Sequence, residues 1–156
     1  MKCRERAMHI ECSDDSIRAL FRERDVRYTR QRAVIYRALA STDQHPTAED
    51  LFSAVRLSES GMSLATVYNT LDLLTASGLC RRLPASPGAG PCRYDADVSP
   101  HVHVVVESGG LMDVPDDLSR QLLSRVGPET LAELEARLGV RITGVDLRLT
   151  GTRQNA

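Results

Sequence analysis

Apolar residues in the first half of the chain recur at helical spacing in four blocks, and each block follows a residue suited to starting a helix. Ser13-Asp14-Asp15-Ser16 precedes Ile17, Leu20 and Phe21, and that block ends near Asp25. Thr29 precedes Ala33, Val34, Tyr36, Ala38 and Leu39, which run up to Ala40. Thr47, with Asp50 at the third helical position, precedes Ala48, Leu51, Phe52 and Val55. Ser63 precedes Leu64, Val67, Leu71, Leu73 and Leu74, and Gly78 is a stop signal. Leu79 to Leu83 then reads as a strand, 84–91 as a Pro- and Gly-rich turn, and Cys92 to Tyr94 as the returning strand. Three or more helices followed by a two-stranded hairpin is a winged helix-turn-helix pattern. A helical bundle with no nucleic-acid role shares this periodicity. The outward face of the fourth helix speaks for DNA, because Thr66, Tyr68, Asn69 and Asp72 are small or polar. A helix fits the major groove, where Asn suits adenine and Thr or Tyr can touch a thymine methyl or a phosphate.

The pattern changes after Asp95. His101 and His103 alternate along an apolar run that ends at Gly109-Gly110, a hairpin signal, followed by Leu111-Met112-Asp113. Residues two apart on a strand share a face, so both imidazoles can stand on one side of a ribbon. The hairpin would return Asp113 beside them, a three-ligand cup with Asp95 as a possible fourth member. A His-x-His on a strand is equally a polar face turned to solvent. Pro115-Asp116-Asp117 then opens a helix with Leu118, Leu122 and Val126 as its stripe. Pro128-Glu129 opens another through Leu131, Leu134 and Leu138, which Gly139 ends. Val140 to Leu149 alternates as an edge or dimer strand. The expected fold is therefore α+β: an N-terminal winged helix-turn-helix domain over 1–95, a hinge at 96–100, and a small α/β dimerisation and metal-sensing domain over 101–156. Alternatively, the second half merely completes a monomer core.

Charge sharpens the division. Residues 1–95 carry 14 basic and 12 acidic side chains, and residues 96–156 carry 6 and 9. Seven arginines fall between Arg18 and Arg37, a stripe that can meet phosphate or simply be a solvated helix face. Cys3, Cys12, Cys80 and Cys92 form no C-x-x-C pair, so no structural zinc knuckle is written here. Cys80 and Cys92 can face each other across a hairpin, but in a reducing compartment they read as small buried or edge residues. No apolar run approaches the roughly 20 residues needed to span a bilayer, and the charged N-terminus has no secretory core. A cytoplasmic protein is expected.

Several stretches, in order, resemble the ferric-uptake-regulator family. Ser63-Leu-Ala-Thr-Val-Tyr-Asn-Thr-Leu71 with Ser77-Gly-Leu79 is similar to its recognition helix. His45-Pro-Thr-Ala-Glu-Asp-Leu-Phe52 is similar to the preceding helix, and Tyr28-Thr-Arg-Gln-Arg32 to the entry segment. Arg93-Tyr-Asp95 with His101-Val-His103 resembles the junction after the wing. The resemblance runs from about Arg24 to the C-terminus. It implies that Arg27 reaches the minor groove and that Tyr68 contacts DNA, within a DNA-facing set of Arg27, Arg30, Ser63, Thr66, Tyr68 and Asn69. It implies a regulatory metal site of His45, Asp95, His101, His103 and Asp113. Asp at the last position and Asn after the tyrosine are more like the peroxide-responsive branch. The family's hairpin and C-terminal C-x-x-C pairs are replaced here by Val106-Glu107-Ser108-Gly109 and Leu149-Thr150-Gly151-Thr152, which implies that structural zinc is lost.

Three imidazoles and two carboxylates suit Fe(II) or Mn(II) better than a thiolate-preferring ion. The expectation is a metal-dependent homodimeric repressor, not an enzyme, that binds a palindromic operator in double-stranded DNA. The resemblance implies that peroxide is sensed by iron-driven oxidation of His45 or His101, which the ligand set makes chemically possible. Rival expectations are an iron- or manganese-responsive regulator without peroxide chemistry, a metal-independent family member, and a small metalloenzyme using the His/Asp cup. The last lacks a separate nucleophile or acid–base pair.

Overall fold

Each of the four helix starts is made by the side chain its sequence offers. In the computed structural model, which describes residues 13–83, 90–106 and 110–152, Ser13 accepts from the Ser16 amide at 3.2 Å and opens α1 (Asp14–Glu23). Thr29 accepts from the Arg32 amide and opens α2 (Arg30–Ala40). Thr47 opens α3 (Ala48–Val55) through a reciprocal capping box with Asp50, with bonds of 3.1 and 3.0 Å. Ser63 accepts from the Thr66 amide at 3.0 Å and opens α4 (Leu64–Ala76). These bonds satisfy amides that the first helical turn leaves without partners, each typically worth about 1 kcal/mol.

The chain divides into two compact units between Val98 and Ser99. In the first, α1 to α4 turn Ile17, Phe21, Ile35, Leu39, Leu71 and Leu74 into one core, all at 0–1% exposure. Burying such a side chain contributes about 1.5–3 kcal/mol. α4 ends in a Schellman turn. Gly78 adopts φ +69, its amide donates to the Thr75 carbonyl, and the Leu79 amide donates to Leu74. That turn corrects the expected strand at 79–83. The Leu79 and Cys80 amides are both spent on the Leu74 carbonyl, so β1 starts only at Arg81 and covers Arg81–Leu83. β1 pairs antiparallel with β2 (Arg93–Asp95), Arg82 opposite Tyr94. Residues 84–89 of the expected wing turn lie outside the described residues, as do Cys3 and Cys12. Cys80 and Cys92 are free thiols, so the hairpin carries no disulfide.

In the second unit, β3 (His103–Val106) pairs antiparallel with β4 (Gly110–Asp113), placing His103 opposite Asp113. α5 (Asp116–Leu123) and α6 (Pro128–Leu138) follow, and Gly139 stops α6 in the left-handed region at φ +64. β5 (Arg148–Gly151) returns parallel to β3, giving the order β4-β3-β5. Two expectations are corrected. The alternation over 140–149 yields a strand only from Arg148, because β3 offers a ladder of four residues and pairs with 148–151. In α5 the inward position belongs to Ser119 at 1% exposure, while Leu118 is 47% exposed. Ser119 wins because its hydroxyl accepts from the buried Val102 amide at 2.6 Å, which Leu cannot do.

Candidate functional site

In the first unit, His45 is built into the entry to α3. Its backbone sits in the left-handed region at φ +47, immediately before Pro46. A non-glycine residue there costs on the order of 1–2 kcal/mol, and the surroundings must impose it. They do so through β2. The Arg93 guanidinium donates to the His45 carbonyl at 2.9 Å, and the Tyr94 amide donates to the Pro46 carbonyl at 3.0 Å. Tyr94 itself is fully buried in the helical core, so β2 is a fixed support. The next residue, Asp95, accepts from the Asp97 amide on Oδ1 at 2.8 Å. Its Oδ2 stands 3.8 Å from His45 Nε2. His45 and Asp95 are 2% and 9% exposed.

In the second unit the hairpin brings His101, His103 and Asp113 together. His101 Nε2 and His103 Nε2 lie 3.4 and 3.5 Å from the same oxygen, Asp113 Oδ1, and the imidazole centroids are 4.4 Å apart. His101 Nδ1 lies 2.8 Å from the Ser99 carbonyl. A carbonyl only accepts, so Nδ1 is the donor in that contact, and Nε2 is the ring nitrogen turned towards Asp113. Separations of 3.4–3.8 Å are long for hydrogen bonds. They are close to the roughly 3.0–3.4 Å between neighbouring donors that each sit about 2.1 Å from one ion. His45, Asp95, His101 and His103 are all buried, and each offers a nitrogen or oxygen ligand atom. The donor chemistry therefore fits a divalent metal.

The outer side of α4 is polar as expected. Asn69 and Asp72 are exposed, and Thr66 and Tyr68 are half-exposed. Ser63 is occupied as the cap of α4, with Thr66 Oγ1 a further 2.8 Å from its hydroxyl. The Tyr68 hydroxyl donates to Glu49 Oε1 at 2.7 Å. That bond is the main reason the Glu49 carboxyl is held below its ordinary range and the Tyr68 phenol above it. Arg30, whose side chain is 80% exposed, pairs with Glu59. Arg27 is exposed, and its carbonyl accepts from Arg32.

A family model described as "Ferric uptake regulator family" matches residues 23–137. The chain belongs to this family. The "Peroxide operon regulator" of Bacillus subtilis (strain 168) is 38% identical over 89 residues, which is 57% of this chain and 60% of that protein. The chain thus aligns with less than two thirds of the length of the curated relatives it matches. Among solved structures, a "zinc-bound manganese uptake regulator" superposes with TM-score 0.60 at 26% identity, covering 88% of this chain and 98% of that one. The Helicobacter pylori ferric uptake regulator superposes with TM-score 0.66 at 17% identity, covering 97% and 95%, and supports the fold alone.

For this member of the ferric uptake regulator family, the residues expected to act together fall into two half-sites, one in each unit. His45 faces Asp95 in the first, and His101 and His103 face Asp113 in the second. Three contributors were not read from the sequence. Glu49 and Glu59 engage Tyr68 and Arg30 from 19 and 29 residues away, so no local spacing signals them. Ser119 fixes the backbone between the two histidines, and a lone serine on a helix carries no such signal. Among the described residues, no helix is long and apolar enough to cross a membrane.

Proposed function

We propose that this protein is a metal-dependent dimeric transcriptional repressor that uses Fe(II) or Mn(II) to sense peroxide. One observation carries the metal reading: Nε2 of His101 and Nε2 of His103 converge on a single carboxylate oxygen of Asp113, at 3.4 and 3.5 Å. In this reading His45 and Asp95 complete the ligand set, and one ion joins the two halves of the chain. The lack of thiolates in that set favours Fe(II) or Mn(II), and the hairpin holds without structural zinc. When bound, Fe(II) supplies the reducing electron that lets peroxide oxidise a neighbouring imidazole, His45 or His101. The chain's own part is to hold the imidazoles buried, with His101 oriented by its Nδ1 contact to the Ser99 carbonyl. Losing one of them as a ligand releases the tie.

The reading assigns DNA contact to Arg27 and Arg30 on the backbone or minor groove, and to Thr66, Tyr68 and Asn69 in the major groove. Ser63 presents the start of α4 as its cap. A homodimer places two such helices on a palindromic operator. The exposed Leu134, Leu138, Val140 and Leu149 support pairing of second units. A ligand that favours the paired, closed arrangement raises DNA affinity without touching DNA. The protein acts in the cytoplasm as a regulator, not an enzyme.

The test is DNA affinity of the purified protein with Fe(II), with Mn(II) and with chelator, each before and after peroxide, together with mass spectrometry. Expected are metal-dependent binding with both ions, loss after peroxide with Fe(II) only, and an added oxygen on His45 or His101. Metal-dependent binding that survives peroxide with unmodified histidines would instead favour an iron- or manganese-responsive regulator. Binding indifferent to metal would refute both.

A further inference from the structure

Glu49 is a carboxylate on a surface proposed to meet a polyanion, and its location needs a reason. It occupies the second helical position of α3 and is exposed. An acid there is favourable for the helix terminus, but its side chain also reaches across to α4 and accepts the Tyr68 hydroxyl at 2.7 Å. The geometry has a chemical consequence. A phenol has one proton to donate. With that proton committed to Glu49, the Tyr68 oxygen can only accept towards an incoming ligand. DNA phosphates are acceptors only, and a carboxylate beside the phenol repels them. In the major groove, the donors are the exocyclic amines, adenine N6 and cytosine N4.

Resting on the DNA-binding reading above, we infer that Glu49 is a positioning residue that makes Tyr68 an acceptor-only reader of an exocyclic base amine. The pair excludes phosphate from that point of the surface and converts a general contact into a base preference. Tyr68 touches the base, and Glu49 acts through it. Without Glu49 the phenol's proton is no longer committed and can be donated to phosphate or base acceptors as well, so discrimination falls. Removing its charge also lessens repulsion of the backbone, so binding to arbitrary duplex strengthens. A merely structural contact would move neither quantity in this way.

The experiment uses the full-length Mn(II)-loaded protein and a library of randomised double-stranded oligonucleotides, followed by affinities for the selected duplex and its single-base-pair variants. The variants are Tyr68→Phe, Glu49→Ala, Glu49→Gln and the Phe/Ala double. Wild type should prefer adenine or cytosine over the other bases at one position by about 3- to 10-fold, the range of a single hydrogen bond. Tyr68→Phe and Glu49→Ala should each erase that preference at the same position, and the double variant should lose no more than either. Glu49→Ala should also bind unselected duplex more tightly than wild type. Glu49→Gln keeps an accepting oxygen and should keep the preference while sharing the tighter unselected binding. A Glu49→Ala protein that keeps a preference erased by Tyr68→Phe would overturn the inference, as would Glu49→Gln behaving like Glu49→Ala. A wild-type protein that selects no sequence would overturn the DNA-binding reading itself.

Discussion

His45 offers a test that separates backbone strain from ligand loss. Its φ of +47 places a side-chain-bearing residue in the left-handed region directly before a proline. Both His45→Ala and His45→Gly remove the imidazole, which is 2% exposed, so both lose the same buried contacts. They differ in the backbone. Alanine retains the left-handed cost of about 1–2 kcal/mol, whereas glycine has no Cβ to clash. Glycine has the freer unfolded chain, which opposes this by about 0.4–1 kcal/mol. The balance leaves His45→Gly more stable than His45→Ala by about 0.5–1 kcal/mol, or on the order of 1–4 °C in Tm for a chain of this size. The assay is thermal and urea denaturation with chelator present. Mn(II) supplies the second arm. At 100 times its Kd, an ion that binds only the folded protein adds about 2.7 kcal/mol, and a variant whose Kd has risen 100-fold keeps about 0.4 kcal/mol. Both variants should therefore show little Mn(II)-induced shift beside a large one in wild type. His45→Ala as stable as His45→Gly would show that the residue is not held in the left-handed region. An undiminished Mn(II) shift in both would remove His45 from the ligand set.

Ser119→Ala should destabilise the protein by about 1–3 kcal/mol in urea, because the buried Val102 amide loses its acceptor; a change within 0.3 kcal/mol would show that the bond contributes nothing. Burial pushes the Cys80 thiol up to about 11. An acid with a raised pKa stays protonated until pH approaches that value, so between pH 7 and 8 its thiolate fraction is lowered about 100-fold relative to its ordinary value of 9.0. Peptide mapping after brief iodoacetamide treatment at pH 8 should find Cys92, which is half-exposed, modified well ahead of Cys80; equal labelling in the folded protein would contradict the burial.

Much of the first unit was legible because its signals are local. Ser13, Thr29, Thr47 and Ser63 each cap a helix through an amide three residues on, and Gly78 supplies the left-handed turn that ends α4. The hairpin register was legible too, since two histidines at alternate positions before Gly109-Gly110 direct Asp113 back opposite His103. The second unit was harder to read. Alternation over 140–149 resembles a strand, but a strand exists only where a neighbour completes its ladder, and β3 pairs with 148–151. Likewise, leucines at helical spacing in α5 do not reveal that Ser119 takes the inward position.

By itself, then, the sequence determined the elements, their caps, the donor types at the candidate metal positions and the polar outer side of α4. All of these depend on chemistry between residues a few positions apart. Tertiary structure alone decided which long-range partners those residues meet. It places Arg93 and Tyr94 against the His45-Pro46 turn, Ser119 against the Val102 amide, and Glu49 on the Tyr68 phenol. Such contacts join residues 17 to 48 positions apart, a distance at which side-chain identity says nothing until the backbone has brought them together.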